Sequence, residues 1–210
     1  MGSRSPRIAI TTIRHAPTPT GELAWAHVSG WAQLSGQPRT VSCVLSCRDC
    51  AAALSRVLPE LSDALTEAGF PWEITCIDRA SQDATESLLA VWCELPGFRW
   101  IRFASAYDHA AAVEVGLEHS RGDAVVLIDV ASDPPLPMLP SMIAAWDSGH
   151  EIVFVHPDRD ADRSRLVCWN TDAPQDMSAL LGDERVDAVA NQFMLLDRRV
   201  VQLLLRGQAD

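Results

Sequence analysis

Gly122-Asp123-Ala124-Val125-Val126-Leu127-Ile128-Asp129-Val130-Ala131-Ser132-Asp133-Pro134-Pro135 is the stretch whose reading decides the fold. Ala124 to Ile128 run apolar without alternation, the pattern of a strand buried on both faces of a sheet. Asp129 then falls at the carboxyl end of that strand, where open α/β sheets bind their ligands. Pro134 and Pro135 remove ladder donors and pre-set φ for a following helix.

Working outward, strand and helix patterns alternate on both sides of this stretch. Residues 41–46 read as a buried strand. Residues 51–69 carry a helical face of Leu54, Val57, Leu58, Leu61 and Leu65, with Pro59 predicted to kink it or begin a second segment. Residues 72–78 form a second strand, again ending on an aspartate. Asp83-Ala84-Thr85-Glu86 has the spacing of a capping box and opens a helix through residue 94. A strand over 98–103, an alanine-rich helix over 108–120, a helix over 136–148 and a strand over 151–155 complete the pattern. Such alternation predicts an α/β fold: one domain with a doubly wound, mainly parallel sheet flanked by helices.

The ends of the chain read less sharply. Residues 1–40 are rich in Pro, Gly, Ser and Thr and are expected to be a partly ordered N-terminal extension to a domain spanning 41–210. Within the extension, residues 8–13 suit a short strand, and Trp25 and Trp31 are expected to pack on the main body. Residues 157–190 carry many Asp and Arg and read as an exposed loop region with a short helix near 177–181. The apolar residues of 193–205 predict a closing strand and helix.

Composition narrows the function. With 210 residues and 48% hydrophobic content the chain can fill one core. Its net charge of −11 disfavours binding nucleic acid through phosphates. Residues 1–40 hold four Arg and one Glu, leaving 13 Arg against 27 acids in the rest. The chain has no lysine, which excludes a lysine Schiff base and a P-loop. Any phosphate must be met by Arg, His, backbone N–H groups or a metal. No apolar run approaches the ~18 residues of a membrane span, and the N-terminus lacks a signal peptide's apolar segment, so a cytoplasmic location is expected.

Six cysteines are present: Cys43, Cys47, Cys50, Cys76, Cys93 and Cys168. Cys47-Arg48-Asp49-Cys50 is a C-x-x-C that suggests zinc or redox chemistry. A zinc site needs a second ligand pair, and none follows at metal spacing. Reduced, metal-free thiols acting as small core hydrophobes are therefore expected.

Neither a G-x-G-x-x-G nor a G-x-S-x-G motif is present, so dinucleotide-binding and α/β-hydrolase readings lose their best signals. Polar groups instead converge on one rim, as three strands end in Ser46-Cys47-Arg48-Asp49, in Asp78-Arg79 and in Asp129. Any one of these aspartates reads equally well as a helix N-cap. Several together favour a ligand site, either for a divalent metal with oxygen ligands or for a ribose or base.

The order and spacing of five segments resemble family 2 glycosyltransferases of the GT-A fold, in particular the polyprenyl-phosphate sugar transferase branch. Residues 41–50, VSCVLSCRDC, stand where that family has V-S-V-V-I-P-V-Y-N-E. IDRASQDAT at 77–85 resembles V-D-D-G-S-T-D-G-T, and AVEVGLEHSRGD at 112–123 resembles A-L-x-A-G-L-x-x-A-x-G-D. DPPLPMLPSMIAAW at 133–146 is close to D-P-P-E-L-I-P-E-M-L-x-x-W. FMLLDRRVV at 193–201 is close to F-R-L-L-D-R-K-V-V.

This resemblance implies transfer of a sugar from a nucleotide-diphosphate sugar to an acceptor, such as a lipid phosphate, with inversion. It implies nucleotide contacts from Ser46, Arg48, Asp49, Asp78, Arg79 and His109, and catalytic and metal-binding roles for Asp129 and Asp133 with Mg²⁺ or Mn²⁺. The chain also departs from the family pattern. Arg79 replaces the second aspartate of V-D-D-G, and Ala131 ends what is elsewhere D-x-D. Cys50 and Gln192 replace acids, and His109 takes a lysine-like position. These losses support an alternative reading, a catalytically impaired relative kept as a nucleotide-binding or regulatory partner.

Overall fold

The computed structural model describes residues 9–15, 39–157, 164–170 and 193–207. Trp25, Trp31, Gln192 and the helix expected near 177–181 lie outside the described residues. Eight strands form one sheet in the order β1-β4-β3-β2-β5-β8-β6-β7. They are β1 (Ile10–His15), β2 (Val41–Cys47), β3 (Trp72–Asp78), β4 (Phe98–Phe103), β5 (Ala124–Asp129), β6 (Ile152–Pro157), β7 (Ser164–Trp169) and β8 (Phe193–Asp197). The four central strands β4, β3, β2 and β5 run parallel. β1 is antiparallel to β4, and β8 is antiparallel to both β5 and β6.

The sheet is buried on both faces, as the unbroken apolar runs require. One core cluster joins Cys43, Leu45, Cys76 and Val126 to α1 (Ala51–Ala68), α2 (Thr85–Trp92) and α4 (Leu139–Asp147). The other joins Val44, Ile77 and Leu127 to α3 (His109–His119) and α5 (Arg198–Gly207). α3 lies unusually close to β2, because a Cβ at Gly116 would sit 2.1 Å from Val44 Cγ1. Among the described residues no helix is long and apolar enough to cross a membrane.

Several expectations change in detail. α1 runs through Pro59 as one helix instead of starting a second segment. Burying Leu54, Val57, Leu58, Leu61 and Leu65 favours the continuous helix by roughly 2 kcal/mol each, against about 3 kcal/mol for an interior proline. The helix ends where Gly69 takes φ 77 and donates to the Thr66 carbonyl.

The capping box does not form. Asp83 accepts from Thr85 N and from Ala51 N, while Glu86 pairs with Arg102, so α2 begins at Thr85. Pro135 and Pro137 turn residues 136–138 into a 3-10 turn before α4. β7 falls inside the span read as a loop region. Leu166, Val167, Cys168 and Trp169 are half-buried against β6, an edge-strand pattern that the surrounding charges obscure.

Candidate donor-binding rim

β2 lies between β3 and β5, and its register fixes the site. Ser46 pairs with Asp129, and Cys47 pairs with Asp78. The two aspartates therefore end strands on the same edge of the sheet, two strand spacings or roughly 10 Å apart. Among the described residues, the non-glycine residues with positive φ are Asp49 (50°), Ala80 (60°) and Asp133 (52°). All three lie in the loops that follow β2, β3 and β5. Left-handed backbone is unfavourable for side-chain-bearing residues, so among the described residues this strain is gathered on this rim.

On the α2 side the polar groups hold one another. Asp78 is fully buried. Its Oδ1 accepts from Ser81 N at 2.8 Å and its Oδ2 from Arg102 Nη1 at 2.7 Å. Arg102 also donates to the Ser81 carbonyl at 3.0 Å and pairs with Glu86 at 3.1 Å. Asp49 N donates to Ser81 Oγ, and Asp49 Oδ1 accepts from Gln82 N at 2.6 Å. Arg48 folds back on Asp49 at 3.6 Å, with both side chains a little under half exposed. Asp83 ties the head of α1 to that of α2. Its bonds with Thr85, then the Ala51 and Thr85 amides, hold its carboxyl below the usual carboxylate range. These aspartates are therefore loop anchors, with Asp78 closed off from solvent.

The α3 side is different. Side chains alternate along a strand, so Ser46 follows Val44 and Asp129 follows Leu127 onto the α3 face of the sheet. Among the described residues, Ser46 Oγ and Arg79 Nε are buried and have no hydrogen-bond partner. Arg79 continues the ladder through its amide, which donates to the Cys47 carbonyl at 2.9 Å, and its Nη1 lies 3.5 Å from the Tyr107 carbonyl. That contact brings the guanidinium to the head of α3. His109 is the first residue of α3, and Asp108 caps it by accepting from Ala111 N at 2.9 Å. The positive end of α3 therefore points at the same rim.

Asp129 Oδ1 accepts from Ala131 N at 3.2 Å, and Ser132 Oγ donates to the Asp129 carbonyl. Asp133 is 81% exposed and forms an ion pair with Arg56 of α1. The expectation that Asp133 joins Asp129 thus meets a competing partner. Among the described residues, no three His, Cys, Asp or Glu side chains are placed to hold a metal ion. The donors present do not fit a cage of protein ligands. A cation at Asp129 would draw most of its coordination from substrate phosphates and water.

All six cysteines are free thiols. Cys47 is buried, and its contact with Cys50, reinforced by burial, raises it well above the ordinary thiol value. The same contact lowers half-buried Cys50. A cleft of about 390 Å³ lies at the opposite end of the sheet, lined by Arg39, Trp146, His150, Asp197 and Arg199. Its groups are engaged within the protein: Arg39 stacks 3.6 Å over Trp146 and pairs with Asp147, and Trp146 Nε1 donates to Asp197.

Arg102 and Arg56 carry much of this arrangement and were not singled out in the sequence. The signal for Arg102 was a cation, the second after Arg99, near the end of the strand FRWIRF and in register with Asp78.

This mainly parallel sheet, with helices on both faces and the strained rim at its carboxyl edge, is a GT-A fold. The glucosyl-3-phosphoglycerate synthase of Mycobacterium tuberculosis superposes with a TM-score of 0.53 at 19% identity, covering 90% of this chain and 70% of that one. The mannosyltransferase of Pyrobaculum calidifontis, in complex with GDP-Man and Mn²⁺, gives 0.51 at 19% identity, covering 81% and 47%. The family model described as Glycosyl transferase family 2 matches residues 42–200, and the chain belongs to that family. A bactoprenol glucosyl transferase of Shigella phage SfX is 30% identical over 132 residues, 62% of this chain and 43% of that protein. The chain thus spans less than half the length of this relative.

Proposed function

We propose that this chain binds a nucleotide-diphosphate sugar at the α3 side of the rim and transfers its sugar, with inversion, to an anionic acceptor such as a lipid phosphate. The observation that carries this reading is the pair of orphaned buried groups, Ser46 Oγ and Arg79 Nε, beside Asp129 and the head of α3. Buried polar groups without partners are rare and mark places where a ligand completes the hydrogen bonding.

In the reaction, an acceptor oxygen attacks the anomeric carbon from the face opposite the diphosphate. The bond from that carbon to the diphosphate oxygen breaks, and its electron pair leaves with the diphosphate. Arg79 meets that growing charge with a guanidinium fixed at the rim, reinforced by the α3 amide dipoles. His109 adds a donor at the same helix head. A phosphate acceptor is already anionic and needs no general base, so the Gln192 replacement does not block the step. A divalent ion would supply further Lewis-acid stabilisation of the leaving group. The relative's name, bactoprenol glucosyl transferase, supports a polyprenyl phosphate as acceptor.

The second reading, nucleotide binding without transfer, draws on Ala131 and on the Arg56 partner of Asp133. One assay separates the two. The chain is incubated with UDP-, GDP- or dTDP-sugars and undecaprenyl phosphate, and both glycolipid and free nucleoside diphosphate are measured. Stoichiometric release of both supports transfer. Saturable nucleotide binding with neither product supports the second reading.

A further inference from the structure

We propose that Tyr107 is a positioning residue of the donor site, through which the edge strand β1 holds Arg79 and the head of α3 in place. Because β1 is antiparallel to β4, with Ile10 opposite Phe103, its first residues lie at the carboxyl edge of the sheet. Residues 104–108 connect β4 to α3, and Ala104, Ser105 and Ala106 among them are exposed. Ala9, just before β1, grips this connection with both of its backbone groups. Its carbonyl accepts from Ala104 N at 2.8 Å, and its amide donates to Tyr107 Oη at 3.3 Å. The Tyr107 ring stands edge-on to Phe103, with centroids 5.5 Å apart and planes at 88°. Phe103 is buried, so the tyrosine rests its ring on the core while its hydroxyl reaches the edge strand.

The backbone of the same residue faces the donor site. The Tyr107 carbonyl lies 3.5 Å from Arg79 Nη1. A guanidinium carries its N–H donors in a rigid planar fork, so anchoring one of them orients the rest. Arg79 Nε, buried and without a partner among the described residues, belongs to that fork. Asp108 follows directly and caps α3, and His109 is the first residue of that helix. A displacement of Tyr107 therefore carries the Arg79 fork, His109 and the α3 amides with it. Holding a long side chain in place before the ligand arrives lowers the entropy lost on binding. This role rests on the donor-site reading given above, in which Tyr107 acts through Arg79 and not on the substrate.

Two substitutions break the hold from opposite sides. Tyr107→Phe keeps the ring on Phe103 and removes the hydroxyl that accepts from Ala9. Ala9→Pro removes the donor, at the entry to an edge strand where proline is tolerated. Calorimetric titration of the full chain should show UDP weakened about threefold in each, the lower end of a hydrogen bond's net worth, with uridine unaffected. In an Arg79→Ala background, Tyr107→Phe should have no further effect on UDP, because the side chain that it positions is gone. The same threefold loss in both backgrounds would mark a merely structural role and overturn the proposal. Unchanged UDP affinity in either single variant would overturn it as well.

Hydrogen exchange of peptides covering residues 104–111, measured without nucleotide, reads the hold itself. Both variants should exchange faster there than the wild-type chain, and unchanged exchange would overturn the proposal whatever the titrations give. If the wild-type chain binds no UDP while exchange still rises in the variants, the donor-site reading fails. Tyr107 is then an anchor of α3 and not a positioning residue. UDP bound by the wild-type chain with equal affinity in Tyr107→Phe sinks the positioning role alone and leaves the donor site standing.

Discussion

The two sides of the rim use similar residues for opposite ends. On the α2 side Asp78, Asp49 and Asp83 are bonded to neighbouring amides or to Arg102, and together they lock the loops after β2 and β3. On the α3 side Ser46 Oγ and Arg79 Nε are buried with no partner among the described residues. A locked side costs stability when a partner is removed, whereas an open side costs ligand affinity. The difference teaches that a carboxylate at a strand end is not by itself a ligand contact. What separates the two cases is whether its hydrogen bonds are already made.

The largest expected effect comes from breaking the locked side. Arg102→Ala leaves the Asp78 carboxylate buried without its cation and should lower unfolding free energy by about 3 kcal/mol, since removing one partner of a buried pair costs 3–5 kcal/mol. Chemical denaturation measures it. A loss below about 1 kcal/mol would mean that Asp78 is not anchored as described.

Next comes the scaffold of the open side. Gly116→Ala places a Cβ against Val44 and should cost about 2 kcal/mol, as overpacking typically does. It should also weaken UDP binding by tilting the head of α3. Unchanged stability and affinity would show that α3 is free to shift.

Most of the scaffold was legible in the sequence. The run from Ala124 to Ile128, the apolar face of α1 and the Asp108-capped α3 state their elements directly. The antiparallel insertion of β8 between β5 and β6 was not legible, because a buried FMLL run has no period that reveals its direction. The site was readable only in outline. Strand ends located Ser46, Asp78 and Asp129, but their separation depends on pairings that no local pattern encodes. Arg102 claims Asp78 from 24 residues away, and Arg56 claims Asp133 from 77.

Smaller effects sharpen the contrast at its edges. Asp133→Ala breaks an exposed ion pair with Arg56 and should change stability by less than about 0.5 kcal/mol. A larger loss would make the pair structural. Asp83 provides a pH signature. Its carboxyl is held below the ordinary value, so its contribution is present above the unfolded carboxylate pKa and is lost as pH falls through the folded one. Acid titration of unfolding should therefore show a small loss in the wild-type chain that Asp83→Asn removes. Identical acid profiles would contradict that assignment.

The central claim is that fixed positive charge from Arg79 takes over much of the work of a metal at the diphosphate. Calorimetric titration of UDP and of uridine, with and without Mn²⁺, tests it on the wild-type chain and Arg79→Ala. The account predicts that the substitution weakens UDP about tenfold or more, a loss of ~1.4 kcal/mol or greater, while uridine is unaffected and Mn²⁺ improves UDP binding by less than tenfold. Tight, strictly Mn²⁺-dependent UDP binding that is unchanged by Arg79→Ala would contradict it and place a working metal site at Asp129 and Asp133.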